Sequence, residues 1–302
     1  MVTSGTGAAT RHGNGEASNS VIARVPLQPL RTCCQKRSRP TPNGDTTPMP
    51  VIATREPGVK VMPPIIGRAL LPLLFAWLAA AAFAGSLGYF LYAYLILFGR
   101  PAPPVTDGTV IVPVVANLLL FTIFALHHSV FARTGIKQLV KRWAPPALER
   151  AIYSLVASAL FAAVCLLWRP VPGTAWELDG AWRLLGYAVQ AAGVLVTFIG
   201  ARALDVLDLA GVRQVLRSSN TRSTLKTDGI YGLVRHPLYF GWTLLVFGAP
   251  DMTATRLVFA LISTLYLVVA IPFEERSLIE TFGPDYASYQ RKVRWRIIPG
   301  LH

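Results

Sequence analysis

The sequence predicts an all-α integral membrane protein: a polytopic bundle of about six transmembrane helices, closing with a helical hairpin and a cytoplasmic terminal segment. Three observations predict it. The 302 residues are 53% hydrophobic and 15% charged, against the ~25% charge of an ordinary soluble domain. The mean hydropathy is +0.45. Apolar runs recur along the chain, most with nearly the ~20 residues a spanning helix needs. These properties exclude a soluble Rossmann or barrel enzyme. The net charge of +14 does not point to nucleic acid, because the basic residues fall mainly in a leading tail and in the loops between apolar runs.

Residues 1–61 form the tail, rich in Gly, Ser, Thr, Pro and Arg and without any sustained apolar period. Such a segment cannot bury enough surface to offset its ordering entropy, so it is predicted to be disordered. The first apolar run begins near Arg68 and is too long for a signal-peptide core. Met49 and Met62 both stand just before it, and either is an alternative expected start. Six apolar segments follow, at about 69–98, 110–131, 151–168, 182–204, 233–249 and 256–273. The fifth is short, and Ala249, Pro250 and Asp251 break it from the sixth, so the two read as a tight hairpin.

Loop charge sets the orientation. Arg133, Lys137, Lys141, Arg142 and Arg150 make one loop basic, as does the 213–235 stretch, whereas Asp107, Glu177 and Asp179 balance the arginines of the other two. The positive-inside rule then puts both termini in the cytoplasm, in agreement with an even number of crossings. A bacterial inner membrane is the expected location. The polar 274–292 segment, followed by Arg294 and Arg296, reads as a cytoplasmic helix on the membrane surface. Cys33, Cys34 and Cys165 offer neither a disulfide framework nor metal-ligand spacing.

Three clusters can carry chemistry. In the stretch from Gly229 to Trp242, Pro237 disfavours helical geometry at His236 and suits a first helical position, so a helix is predicted to begin at Pro237. Its free N–H groups, with Arg235 beside them, suit an anionic group such as a carboxylate. Gly241 lets a ligand or another helix approach the backbone. The competing reading makes Arg235 and His236 interfacial anchors within an aromatic belt of Tyr231, Tyr239 and Trp242. Glu274 and Glu275 end the last apolar segment, where the helix dipole disfavours adjacent carboxylates unless a cation faces them. Arg276 is the local candidate for that cation, and the alternative is that one carboxylate binds hydroxyls or a positive group of a cofactor. His127 and His128, being adjacent, do not share one helix face and make a poor metal pair, so no metal is expected. His128 alone suits either packing across the bundle or a substrate pocket. Asp205 and Asp208 are expected to pair with Arg202 or Arg213.

Taken together and in order, Gly229, Tyr231, Arg235, His236, Pro237, Tyr239, Gly241, Trp242, Glu274, Glu275, Phe282, Gly283, Tyr286, Tyr289, Pro299 and Gly300 resemble the membrane methyltransferases that include isoprenylcysteine carboxyl methyltransferase and the phospholipid N-methyltransferases. Upstream, His128 to Arg133, Pro145 to Tyr153 and Trp168 to Gly173 resemble the methanethiol S-methyltransferase family, itself similar to nurim and the nitrite-related membrane proteins. The likeness runs from about Arg68 to Gly300 and departs at Arg294, where relatives often carry proline.

The resemblance implies methylation of methanethiol by S-adenosylmethionine, giving dimethyl sulfide and S-adenosylhomocysteine. It implies a division into a substrate side, 62–228, and a cofactor-binding side, 229–302. Tyr231, Arg235, His236, Tyr239, Glu274 and Glu275 are the implied cofactor residues, and Arg235, His236 and His128 the candidates for thiolate stabilisation and proton transfer. The implied partners are a small volatile thiol and the lipid bilayer, with no nucleic acid and no obligate protein. Two alternatives stand beside this: the same cofactor with a lipid amine, another thiol or a prenylcysteine as acceptor, and a non-enzymatic haem or nitric-oxide-related membrane protein.

Overall fold

The computed structural model describes residues 65–103, 110–131, 145–202, 207, 211–216 and 224–301. The predicted tail, the loop residues Arg133 to Arg142, Asp205, Asp208, Cys33 and Cys34 lie outside the described residues. Helix α1 (Ile65–Tyr92) runs on into a π-helical turn, Ala93–Leu97; α2 is Ile111–Phe131, α3 Glu149–Leu167 and α4 Gly180–Arg202. A short α5 (Val212–Leu216) and a 3-10 turn, Gly229–Gly232, precede α6 (Pro237–Phe247), and α7 (Ala254–Phe282) and α8 (Pro284–Lys292) complete the order. Five of these helices are long and apolar enough to cross a membrane. Their outer faces suit lipid: Leu71 is 75% exposed and Leu184 71%. The chain is thus a helical, multi-pass membrane protein.

The fifth predicted span is the exception in length. Helix α6 has 11 residues, about 16 Å at 1.5 Å per residue, roughly half of a ~30 Å hydrocarbon core. A helix ending at that depth exposes orphan carbonyls with no water to satisfy them. Here three of the last four find a donor. Gly248 N–H bonds Leu244 O at 2.9 Å, Gln190 Nε2 bonds Leu245 O at 3.2 Å, and the Tyr94 hydroxyl bonds Val246 O. Beyond the helix, Trp176 Nε1 bonds Ala249 O and Leu178 N–H bonds Pro250 O, both at 3.0 Å.

The last two donors, Trp176 and Leu178, lie on and just after one strand of a feature absent from the sequence prediction, a two-stranded antiparallel ribbon. It pairs β1 (Thr174–Glu177) with β2 (Asp251–Thr253), Trp176 standing opposite Met252. Arg183 clamps it, a single nitrogen, Nη2, donating to both carboxylate oxygens of Asp251 at 2.6 and 2.5 Å.

Helix α6 packs chiefly on α4 and secondarily on its hairpin mate α7. A Cβ on Gly241 would sit 2.3 Å from Thr197 Oγ1 and 2.7 Å from its backbone nitrogen, and one on Gly193 2.5 Å from Leu245 N. Glycine is therefore what lets these two backbones touch, as at many membrane helix contacts. Of the two roles open to Gly241, the neighbouring helix is the one observed.

The π turn, marked by Phe98 N–H bonding Ala93 O at 2.8 Å, frees carbonyls at the end of α1. Arg256, 6% exposed, spends its guanidinium on them: Nε bonds Tyr94 O at 3.0 Å and Nη2 bonds Leu95 O at 2.6 Å, while Nη1 bonds Asp251 O at 2.6 Å. Below it lies an aromatic core in which Phe90 stacks on Trp242 at 4.7 Å and on Phe259 at 5.5 Å.

The end of the chain differs from expectation in one further way. Helix α7 does not stop near Phe273 but continues to Phe282, where Gly283 turns the backbone at a φ of 55° into α8. Glu274 and Glu275 therefore stand inside a continuous helix, about two turns from its end. The helix-terminus argument for a facing cation does not apply to them, although a cation is indeed there.

Candidate active site

Pro237 opens α6 and holds His236 just outside it, at φ −121° and ψ 68°, as the residue before a proline prefers. That backbone geometry aims Arg235 and His236 at the α7 turn that carries Glu274 and Glu275. Glu275, with 7% of its side chain exposed, accepts from Arg235 Nε at 2.7 Å through Oε1, which also lies 3.3 Å from His236 Nε2. Its Oε2 accepts from Gln290 Nε2 at 3.2 Å and lies 3.7 Å from Arg296 Nε. The next carboxylate, Glu274, is 43% exposed; it accepts from the Tyr239 hydroxyl, and its Oε2 stands 3.6 Å from His236 Nδ1. The His236 ring stacks on Tyr239 at 5.2 Å. Two of the predicted clusters thus join into one set of Arg235, His236, Tyr239, Glu274 and Glu275.

The predicted cation partner, Arg276, is exposed. Arg235 takes its place, 40 residues away in sequence. The pair is buried, and removing one partner of a buried ion pair typically costs ~3–5 kcal/mol because the other charge is left uncompensated.

Further donors of Arg235 hold the C-terminal segment. Nη1 bonds Val293 O at 2.7 Å and Arg294 O at 2.8 Å, while the backbone N–H groups of Arg235 and His236 bond Trp295 O at 2.9 Å and Arg296 O at 2.8 Å. The two N–H groups just before the helix start are thus taken up by a strap formed by residues 293–296, while those of Tyr239 and Phe240 in the first turn bond His236 O at 3.0 and 3.1 Å. Helix α8 anchors the strap: Tyr286 is 1% exposed, and the Tyr289 hydroxyl bonds Tyr231 O at 2.7 Å. The Tyr231 hydroxyl in turn bonds Gly200 O at 3.3 Å, tying the site to α4. Burial, aided by nearby Glu275, pushes the Tyr286 phenol up to about 12 and raises that of Tyr289 as well, so both remain neutral hydrogen-bonding groups.

His128 lies in a second polar group, on α2. The Tyr153 hydroxyl is 2.9 Å from its Nδ1 and 3.1 Å from its backbone oxygen. Tyr153 also stacks on His127 at 5.5 Å, so the two adjacent histidines meet one tyrosine from α3 although they do not share a helix face. Ser129 Oγ and the Tyr266 hydroxyl of α7 lie 3.0 Å apart. The two groups adjoin, for Tyr153 and Tyr266 both stand within electrostatic reach of Glu274 and Tyr239. Among the described residues no three His, Cys, Asp or Glu side chains are placed to hold a metal ion.

Sequence reasoning did not single out Gln290, Arg296, Tyr266 or Ser129 as members of the site. Tyr153 entered only as part of a family resemblance. Gln290 and Arg296 sit in a polar stretch whose surface-helix reading hid them, and Tyr266 looks like any aromatic residue of an apolar helix.

The phospholipid methyltransferase family matches residues 182–285 of this chain. Methanethiol S-methyltransferase 2 of Bradyrhizobium diazoefficiens is 37% identical over 234 residues, covering 73% of this chain and 87% of that protein. The methanethiol S-methyltransferase of Crocosphaera subtropica is 37% identical over 179 residues, 58% and 70% of the two chains. That of Mycobacterium tuberculosis is 33% identical over 232 residues, 74% and 95%. No solved structure matches.

Proposed function

Since this chain belongs to the methanethiol S-methyltransferase family, we propose that it moves a methyl group from S-adenosylmethionine to the sulfur of methanethiol, giving dimethyl sulfide and S-adenosylhomocysteine. A membrane methyltransferase is the class to which its relatives and matched family belong. The observation that carries the reading is the closed set of two carboxylates, Arg235, His236 and Tyr239 under a basic strap.

That donor set fits the methyl donor, a cation with an amino-acid end and ribose hydroxyls. Glu274, half-exposed beside buried Glu275, offers an acceptor to an ammonium or a hydroxyl. Half-exposed Arg296 puts positive charge where a carboxylate can meet it, beside buried Glu275. Tyr231 and Tyr239 supply ring surface and hydroxyls. S-adenosylmethionine supplies, when bound, an electrophilic methyl group on a sulfonium.

The thiol must lose its proton, since thiolate is the nucleophile and an ordinary thiol titrates near ~8.5. Arg235 stabilises the thiolate, and His236 and His128 are the groups able to take the proton. Thiolate and sulfonium neutralise each other as the methyl moves, so alignment in a water-poor pocket is the main demand on the protein. Residues 62–228 form the side from which methanethiol arrives through the bilayer, and 229–302 the side that binds the charged donor from the cytoplasm, both termini lying on that face of a bacterial inner membrane.

Membranes bearing the chain, given methyl-labelled S-adenosylmethionine and in parallel methanethiol, phosphatidylethanolamine or a prenylated cysteine, test the acceptor. Label in dimethyl sulfide alone is the expected result. Label in lipid or prenylcysteine, with none in dimethyl sulfide, would overturn the reading.

A further inference from the structure

Of the two histidines able to take the thiol's proton, His236 is surrounded. Its Nε2 lies 3.3 Å from Glu275 Oε1 and its Nδ1 3.6 Å from Glu274 Oε2. Both ring nitrogens therefore face carboxylates already in the set, at 3.3 and 3.6 Å, and neither faces the apolar cavity walls.

His128 is placed differently. Its ring stacks on Phe124 at 5.6 Å, and its Nδ1 meets the Tyr153 hydroxyl at 2.9 Å. Tyr153 reaches from α3 toward the other polar group, where Tyr239 of α6, Tyr266 of α7 and Glu274 are its electrostatic neighbours. His127 stacks on its other side. The Tyr153 phenol thus meets both histidines and lies near enough to the carboxylate side to feel the charge of Glu274.

A route for an apolar thiol leads to the same place. A cavity of about 370 Å³ opens between α2 and α7, walled by Phe121, Ala125, Leu265 and Val269. Its hydroxyls are few: that of Thr122 turns back to Leu118 O, and those of Ser129 and Tyr266 bond each other. Tyr266 is thus both a wall of this cavity and a neighbour of Tyr153.

We infer that Tyr153 receives the thiol's proton while handing its own to His128, so that a phenol–imidazole pair serves as the base. This rests on the methanethiol reading above. The S–H bond breaks as an O–H bond forms on Tyr153, and the Tyr153 O–H bond facing His128 breaks as an Nδ1–H bond forms. The freed sulfur pair makes the new S–C bond while the carbon–sulfonium bond of the methyl donor breaks. Two neutral thioethers result, and the proton held on His128 leaves to water.

The test compares the full chain in lipid vesicles with Tyr153→Phe and His128→Asn, reading kcat/KM for ethanethiol and for the acidic aryl thiol para-nitrothiophenol across pH, alongside S-adenosylmethionine affinity. Toward ethanethiol near neutral pH both variants should fall about 100-fold, the scale of one proton-transfer group. The deficit should shrink as rising pH supplies thiolate. Toward the aryl thiol, already ionised, both should stay within about threefold of native, with unchanged cofactor affinity. Equal deficits for the two thiols with cofactor affinity retained, or no deficit toward ethanethiol, would overturn the relay. Should Tyr153→Phe lose cofactor binding through misfolding, His128→Asn decides by the same criteria. Native protein inactive toward every thiol would instead end the methanethiol reading itself.

Discussion

Glu275 carries more of the site than any other side chain. Its two oxygens take Arg235, Gln290 and the approaches of His236 and Arg296, so it fixes the start of α6, the body of α7, helix α8 and the strap at once. Glu275→Gln keeps the shape and removes the charge. On the proposed reading it should weaken S-adenosylmethionine binding by about 10- to 100-fold, the ~1.5–3 kcal/mol of a charged hydrogen bond, with the protein still in the membrane; equilibrium binding to solubilised protein reads this directly. Unchanged affinity would take this carboxylate out of the cofactor site. The paired glutamates and the Arg235–His236–Pro237 run were legible in the sequence because charge and proline are conspicuous inside apolar surroundings. Their mutual bond was not, since Arg276 is the neighbour in the chain and Arg235 is the neighbour in space. Tyr153 was hidden for a related reason: nothing local marks which of ten tyrosines meets a histidine on another helix.

At the scale of elements, hydropathy located the helices well because a run long enough to span is a strong signal, and Pro237 marked the start of α6 correctly. The same signal missed the ends. Helix α7 passes through nine polar-rich residues beyond Phe273, carried by helix formers such as Glu274, Glu275, Arg276 and Leu278. The ribbon of β1 and β2 is too short for any alternating pattern to announce it. Nor does composition reveal that α6 leans on α4, a contact that rests on glycine. Gly241→Val should therefore destabilise the fold by at least ~1–3 kcal/mol, the usual cost of overpacking, because the added carbons meet not only the Thr197 hydroxyl but also the backbone at Thr197 N and Gly193 O, which cannot turn aside. The control is Gly88→Ala in α1, where a Cβ meets nothing within 4 Å and helix propensity favours alanine by up to ~1 kcal/mol. Thermal midpoints of the two solubilised variants should move in opposite directions; a shared direction would contradict the close-contact account.

At the scale of the whole molecule, short polar staples bind the apolar helices into one frame with a polar end. Asn117, fully buried, exchanges two 2.8 Å bonds with the backbone of Arg169, and Arg256 locks the π turn of α1 to the start of α7. The Mycobacterium tuberculosis relative aligns over 95% of its own length within 74% of this chain. Residues 1–61 should then be dispensable for the chemistry, and a chain starting at Met62 should insert and keep its cofactor affinity and turnover, measured per inserted molecule. A large loss in correctly inserted protein would give the tail a part in the reaction. The central claim, that the Arg235 to Glu275 set serves a thiol methyl transfer, is most directly tested by headspace gas chromatography over membranes given methanethiol and S-adenosylmethionine, with Arg235→Ala beside the native chain. The account predicts dimethyl sulfide that requires both substrates and falls sharply in the variant. Absence of dimethyl sulfide from native membranes that still bind S-adenosylmethionine, or undiminished product from inserted Arg235→Ala, would contradict it.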